Sequence, residues 1–211
     1  MLNVLVCVSG GGTNLQAILD RIADGTISHA RVVRVISNNP GVYALERAKK
    51  AGIPAKVISP KSYPDREVFN EALLRGIREA DPDLIVLAGF LVAIPPQVIR
   101  AYPGKIINIH PALIPSFCGK GFYGIRVHEK ALERGVRVTG ATVHFVDEGM
   151  DSGPIILQKA VDIPQGISAA DLQQKVMKEA EWVILPRAVE LIAEGRVKLE
   201  DGHVTILERQ A

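Results

Sequence analysis

Leu2-Asn-Val-Leu-Val-Cys-Val-Ser-Gly-Gly-Gly-Thr-Asn-Leu-Gln16 decides how this chain folds. Leu2 to Val8 is a short, nearly continuous apolar run, as expected for a strand covered on both faces. Gly10, Gly11 and Gly12 interrupt it, and Leu15, Ile18, Leu19 and Ile22 then recur at helical spacing. Thr13 and Gln16 have the spacing of a capping box, which places the helix N-terminus at the glycines. A strand passing through a glycine turn into a helix is the first half of a βαβ unit, and such units build parallel sheets with right-handed crossovers.

Working outward, the alternation continues. Arg31 to Ser37 reads as a strand with Asn38-Asn-Pro-Gly41 as its turn. A helix is expected from about Tyr43 to Gly52, with Pro54 as a stop signal. A strand near Ala55 to Ile58, a helix from about Asp65 to Ala80 and a buried strand at Leu84 to Gly89 follow. Val136 to Val146 and Ile155 to Ile163 are β-rich and flank a polar loop. A long helix starts at an N-cap Ser168, and Pro186 should kink or end it. Asp201-Gly202 between Val197–Leu199 and Val204–Ile206 predicts a terminal hairpin. The expected class is α/β, a single domain over 1–211 with a mostly parallel twisted sheet and helices on both faces.

Composition sets the bounds. The 211 residues suffice for one sizeable core. A net charge of +2, with Lys and Arg interspersed among acids, argues against nucleic-acid or anionic-membrane binding. No apolar run approaches the ~20 residues that cross a bilayer. The N-terminus lacks the basic start and cleavage site of a signal peptide, so the cytoplasm is the expected location. Cys7 and Cys118 make neither a disulfide framework nor a metal-ligand spacing. Cys7 belongs to the core, and no partner base is specified for Cys118.

The chemistry concentrates at strand ends. In Ile106-Ile-Asn-Ile-His-Pro-Ala-Leu-Ile-Pro115 the two-residue period puts Asn108 and His110 on one side of a strand. An imidazole that can move a proton thus lies beside a carboxamide that can donate to an oxyanion, the parts of an acyl-transfer site. Asp147-Glu-Gly-Met-Asp-Ser-Gly-Pro154 offers carboxylates to orient the imidazole; Asp151 is the better partner, although composition does not choose among Asp147, Glu148 and Asp151. The glycine turn suits a phosphate, with backbone N–H groups and a helix N-terminus available. It is neither a P-loop nor a full dinucleotide fingerprint, because Leu15 takes the last glycine position. His110, His128, His144, Asp147 and Asp151 match no zinc signature. His128 reads as a surface residue, whereas His144 alternates with Thr142 on a strand and is open to either core or site.

Ser9-Gly-Gly-Gly-Thr-Asn14, Leu87-Ala-Gly-Phe90, Asn108-Ile-His-Pro-Ala-Leu-Ile-Pro115 and Met150-Asp-Ser-Gly-Pro154 resemble the folate-dependent formyltransferases, and most closely their phosphoribosylglycinamide formyltransferase branch. The resemblance covers nearly the whole chain, in order. It implies a Rossmann-like fold, 10-formyltetrahydrofolate as co-substrate, no metal, and formyl transfer to the amine of 5-phosphoribosylglycinamide; another amine, such as an amino nucleotide sugar, is the alternative. A phosphate-binding module with structural Asn108 and His110 is the rival from outside enzymes. The resemblance assigns catalysis to Asn108, His110 and Asp151. Gly12, Thr13, Asn14 and Glu181 would hold the ribonucleotide. Arg66, Leu91, Val92, Ala93, Ile94 and Asn108 would meet the folate. Val92 stands where the family often has Arg, so recognition there falls to backbone groups. The expected division is a ribonucleotide half over about 1–105 and a folate and catalytic half over about 106–211, with no further domain. Partners are small molecules, and the resemblance admits a homodimer.

Overall fold

The computed structural model describes residues 1–208. The chain divides into two compact units, Met1–Ile107 and Asn108–Ala211.

In the first unit β1 (Leu2–Val8), β2 (Ala30–Ser37), β3 (Ala55–Val57) and β4 (Leu84–Leu87) alternate with α1 (Thr13–Ala23), α2 (Tyr43–Lys50) and α3 (Arg66–Arg78). The strands lie in the order β3-β2-β1-β4, and β1 pairs in parallel with both β2 and β4. Val4 to Val8 and Leu84 to Val86 are almost wholly buried, which explains their unbroken apolar pattern. The winding reverses between β1 and β4. That switch point is where open α/β sheets leave a crevice beyond their strand ends.

Two local expectations change here. The capping box fails, because Gly12 is the N-cap of α1, with φ 71°, and Thr13 is already helical. Gln16 instead donates to Asp20 and accepts from Arg47 Nη1. A helix not anticipated, α4 (Pro96–Ala101), starts at a proline whose fixed φ suits a first helical position.

β5 (Ile106–His110) spans the boundary between the units. The second unit continues with α5 (Ile125–Arg134), the antiparallel pair β6 (Val138–Phe145) and β7 (Ile155–Asp162), α6 (Ala169–Val176) and α7 (Trp182–Ala193). β8 (Val197–Glu200) and β9 (His203–Ile206) form the expected hairpin, with positive φ at both Asp201 and Gly202. Ser168 caps α6 by accepting from the Asp171 N–H. Pro186 neither ends nor interrupts its helix, being buried inside α7. The irregularity lies upstream, in a π-helical turn at Met177–Glu181. A proline removes one backbone donor and crowds the carbonyl four residues earlier, here Trp182. The widened turn sits directly before that carbonyl. The whole is α/β with a mostly parallel sheet flanked by helices, as expected.

Candidate active site

The glycine turn is built within the first unit. A Cβ on Gly12 would lie 2.6 Å from the Ala44 Cβ, so both the left-handed φ and the close approach of α2 require glycine. Gly11 has open space around it. The Ala44 N–H donates to Gly10 O at 3.2 Å, and Arg47 Nε donates to Gly11 O at 2.8 Å. Arg47 is a site-shaping residue that the sequence reading missed, since contact across 36 positions leaves no local signal. Thr13 is half-buried at the first position of α1, with Asn14 buried beside it.

Ser9 joins the strand ends. Its hydroxyl donates to Asn38 Oδ1 at 2.5 Å and accepts the Leu91 N–H at 2.7 Å, and its carbonyl accepts from Asn39 Nδ2. The segment after β4 is thereby tied to the end of β1. The Leu91 N–H is engaged by Ser9 and so is not free for another acceptor. Arg66, also in this unit, is exposed as the first residue of α3.

The second unit carries the titratable cluster. His110 is buried as the last residue of β5, and Asn108 precedes it on the same strand face. His110 Nε2 lies 2.9 Å from Phe117 O. A carbonyl only accepts, so Nε2 donates. His110 Nδ1 faces Asp151 Oδ2 at 3.6 Å. A protonated ring would therefore find an acceptor on each side. Asp151 is held in the left-handed region at φ 55°, and its Oδ2 accepts the Gly119 N–H at 2.8 Å. Backbone strain of this kind persists only where surrounding contacts fix it, and it concentrates at functional sites.

Asp147 has another task. Its Oδ1 accepts from the Gly149 N–H and the Ser152 hydroxyl, closing its own loop. That loop also needs Gly153, where a Cβ would collide with Phe145 O. On β6, Thr142 and His144 share a face. The Thr142 hydroxyl donates to Ala112 O and accepts from the Ile114 N–H and Gln158 Nε2, fixing the turn after His110. His144 Nδ1 lies 2.8 Å from Phe145 O, and Nε2 lies 3.1 Å from Asn108 Nδ2 and 3.8 Å from Asp151 Oδ1. His144 therefore faces the site, resolving the choice its alternation left open. Polar residues at alternate positions of two otherwise apolar strands were the available signal for it.

His128 corrects an expectation. It is fully buried on α5, not on the surface, and neither ring nitrogen has a hydrogen-bond partner. Burial pulls its pKa down to about 4, with the His110 charge adding to the effect. Burial also pushes the Cys7 thiol up to about 12, consistent with inert core. Cys118 is raised as well, by burial and then by Asp151, and its Sγ donates to Pro115 O. Glu181 is buried in the π-helical turn, a feature often found at functional sites.

Asn108, His110 and Asp151 thus gather with His144 in one cluster of the second unit. Gly12, Thr13, Asn14, Arg66 and Leu91 to Ile94 belong to the first unit, and Glu181 to the second.

Residues 2–189 match the Formyl transferase family. Phosphoribosylglycinamide formyltransferase of Escherichia coli (strain K12) is 36% identical over 201 residues, covering 95% of this chain and 92% of that protein. The chain belongs to the formyl transferase family, in its phosphoribosylglycinamide branch. The trifunctional purine biosynthetic protein adenosine-3 of Bos taurus is 44% identical over 202 residues, 95% of the present chain. The chain spans only 19% of that relative's length. The crystal structure of glycinamide ribonucleotide transformylase 1 from Symbiobacterium toebii superposes with a TM-score of 0.91 at 43% identity, covering 99% of this chain and 95% of that one. The family resemblance expected from the motifs holds.

Proposed function

We propose that this chain transfers the formyl group of (6R)-10-formyltetrahydrofolate to the primary amine of 5-phosphoribosylglycinamide, giving the N-formyl product and tetrahydrofolate in purine (IMP) biosynthesis. The observation that carries this reading is the cluster of Asn108, His110 and Asp151 at the end of β5, in a chain of this family. The amine attacks the formyl carbon, and a C–N bond forms as the carbonyl electrons move onto oxygen. Asn108 Nδ2 and a protonated His110 donate to that oxyanion. The His110 Nε2–H now directed at Phe117 O is the donor the intermediate would take, since catalytic hydrogen bonds often settle only in the complex. Collapse breaks the bond to N10 of the folate, and the proton lost by the amine reaches N10 through water organised by Asp151. Removing an oxyanion donor costs on the order of 100- to 1000-fold in rate. Two ligands held in line supply the proximity, so the scheme uses no metal.

Gly12, Thr13 and Asn14 hold the phosphate and ribose, with Glu181 on the sugar. Backbone groups of Leu91, Val92, Ala93 and Ile94 read the folate head, Asn108 contributes beside it, and Arg66 meets folate carboxylates. The phosphate-binding turn falls within about 1–105 and the catalytic residues within about 106–211, in one cytoplasmic formyltransferase domain that works as monomer or homodimer. No helix among the described residues is long and apolar enough to cross a membrane.

The test is incubation with 10-formyltetrahydrofolate and a panel of amines, with products identified by mass. The expected product is formylated 5-phosphoribosylglycinamide. Formyl appearing only on an amino nucleotide sugar would reassign the acceptor. Tight ribonucleotide binding without folate turnover would leave a binding module.

A further inference from the structure

His144 is buried, lies at the centre of the cluster and has no part in the scheme above. Its hydrogen bonds are constrained in sequence. Phe145 O can only accept, so Nδ1 carries the proton. In the neutral ring Nε2 is then a bare lone pair. The Asn108 amide group facing it at 3.1 Å must present its NH2, because a carboxamide oxygen there would set two acceptors against each other. One Asn108 N–H is bound in this way, and the second is left pointing along a fixed direction. Without an acceptor at that place, the carboxamide could rotate by half a turn, with almost the same shape and the opposite polarity.

We propose that His144 is a positioning residue for the formyl transfer, acting through Asn108: its Nε2 lone pair holds the carboxamide in the orientation that offers N–H to the oxyanion. The proposal rests on the function assigned to Asn108 above. Its geometry stands on two hydrogen bonds, at 2.8 and 3.1 Å, that fix both ends of one ring. Burial also holds the His144 pKa below the usual histidine value, against the Phe145 carbonyl, Asp151 and Asp147, with His110 adding to the lowering. The ring is thus kept in the neutral form that can accept. A protonated ring would turn Nε2 into a donor towards Asp151 Oδ1, 3.8 Å away, and release Asn108.

Four measurements test this. In His144→Phe, which keeps a flat ring and removes the acceptor, kcat should fall about 10- to 100-fold, below the full loss of an oxyanion donor, while the KM of each substrate stays within about threefold. His144→Gln, whose Oε1 can accept, should recover most of that loss. In an Asn108→Ala background, His144→Phe should cost less than about twofold further, because coupled residues are not additive. Nitrogen-15 NMR of the wild-type ring should show protonated Nδ1 and unprotonated Nε2, a readout that needs no variant to fold. A wild-type kcat in folded His144→Phe, an undiminished effect in the Asn108→Ala background, or the opposite tautomer would each overturn the proposal. Full activity of Asn108→Ala alone would instead remove the assignment of Asn108 on which it rests.

Discussion

His128 illustrates how one buried residue can govern behaviour with acid. Its ring is fully buried with no hydrogen-bond partner and a pKa lowered to about 4, while the unfolded chain should titrate near 6.5. Well above pH 6.5 both states are uncharged at this residue and it contributes no pH dependence. As pH falls below 6.5 the unfolded state takes up the proton and the folded state does not, so stability drops until about pH 4. Replacing the ring by Leu removes the titration without removing a hydrogen bond. His128→Leu should therefore gain about 1.4 kcal/mol over wild type on going from pH 7.5 to 5.5. Urea unfolding at the two pH values measures this, and parallel losses in both proteins would show that His128 does not titrate as described. The neighbouring chemistry gives a second prediction at this scale. Asp151→Asn keeps the shape of a strained loop residue and the acceptor for the Gly119 N–H but loses the charge beside His110. Formyl transfer should fall by about 100-fold or more at saturating substrates, with both ligands still bound in calorimetry. A near-normal rate would move attention to Asp147.

The turns at element ends carry Asp151 and the glycines after β1. At the end of β1, Gly11 and Gly12 look alike in sequence but have different roles. Gly12 combines φ 71° with an approach of α2 that leaves no room for a methyl group, whereas Gly11 is surrounded by open space. Gly12→Ala should destabilise the fold by about 1–2 kcal/mol through backbone conformation, before counting the contact with Ala44. Gly11→Ala should leave the melting temperature nearly unchanged and raise KM for the ribonucleotide far more than KM for the folate, because a side chain there intrudes where the phosphate is assigned. Equal effects on the two KM values would disconnect the turn from the ribonucleotide. The α3 helix offers a plainer case. Asp65 caps it by accepting the Val68 N–H at 2.9 Å, and Asp65→Ala should cost about 1 kcal/mol in chemical denaturation without changing kcat.

For the molecule as a whole, ligand binding and stability are linked. A ligand that binds only the folded state at about 100 times its Kd adds about 2.7 kcal/mol. For a chain of 211 residues that corresponds to a rise in Tm of roughly 5–10 °C. 5-Phosphoribosylglycinamide should produce such a shift, and ribose 5-phosphate at the same concentration a clearly smaller one. Equal shifts would mean that the phosphate alone is recognised and that the glycinamide acceptor is wrongly assigned.

Hydrophobic period and turn chemistry act locally, so the alternation of strand and helix, the Ser168 cap, the Asp201-Gly202 hairpin and the placing of Asn108 and His110 on one strand face were determined by the sequence itself. The motifs also marked the family. Other features depend on contacts between residues distant in the chain, and these only the tertiary structure decided. Arg47 reaches Gly11 across 36 positions, and His144 meets Asn108 across 36. Asp151, not Asp147, stands beside His110, because Asp147 is engaged by its own loop. His128 is followed by Glu129 and Lys130 on its helix, yet it is fully buried beside the buried Val127. A side chain's period tells which way it points, but what it meets there is fixed when distant segments come together.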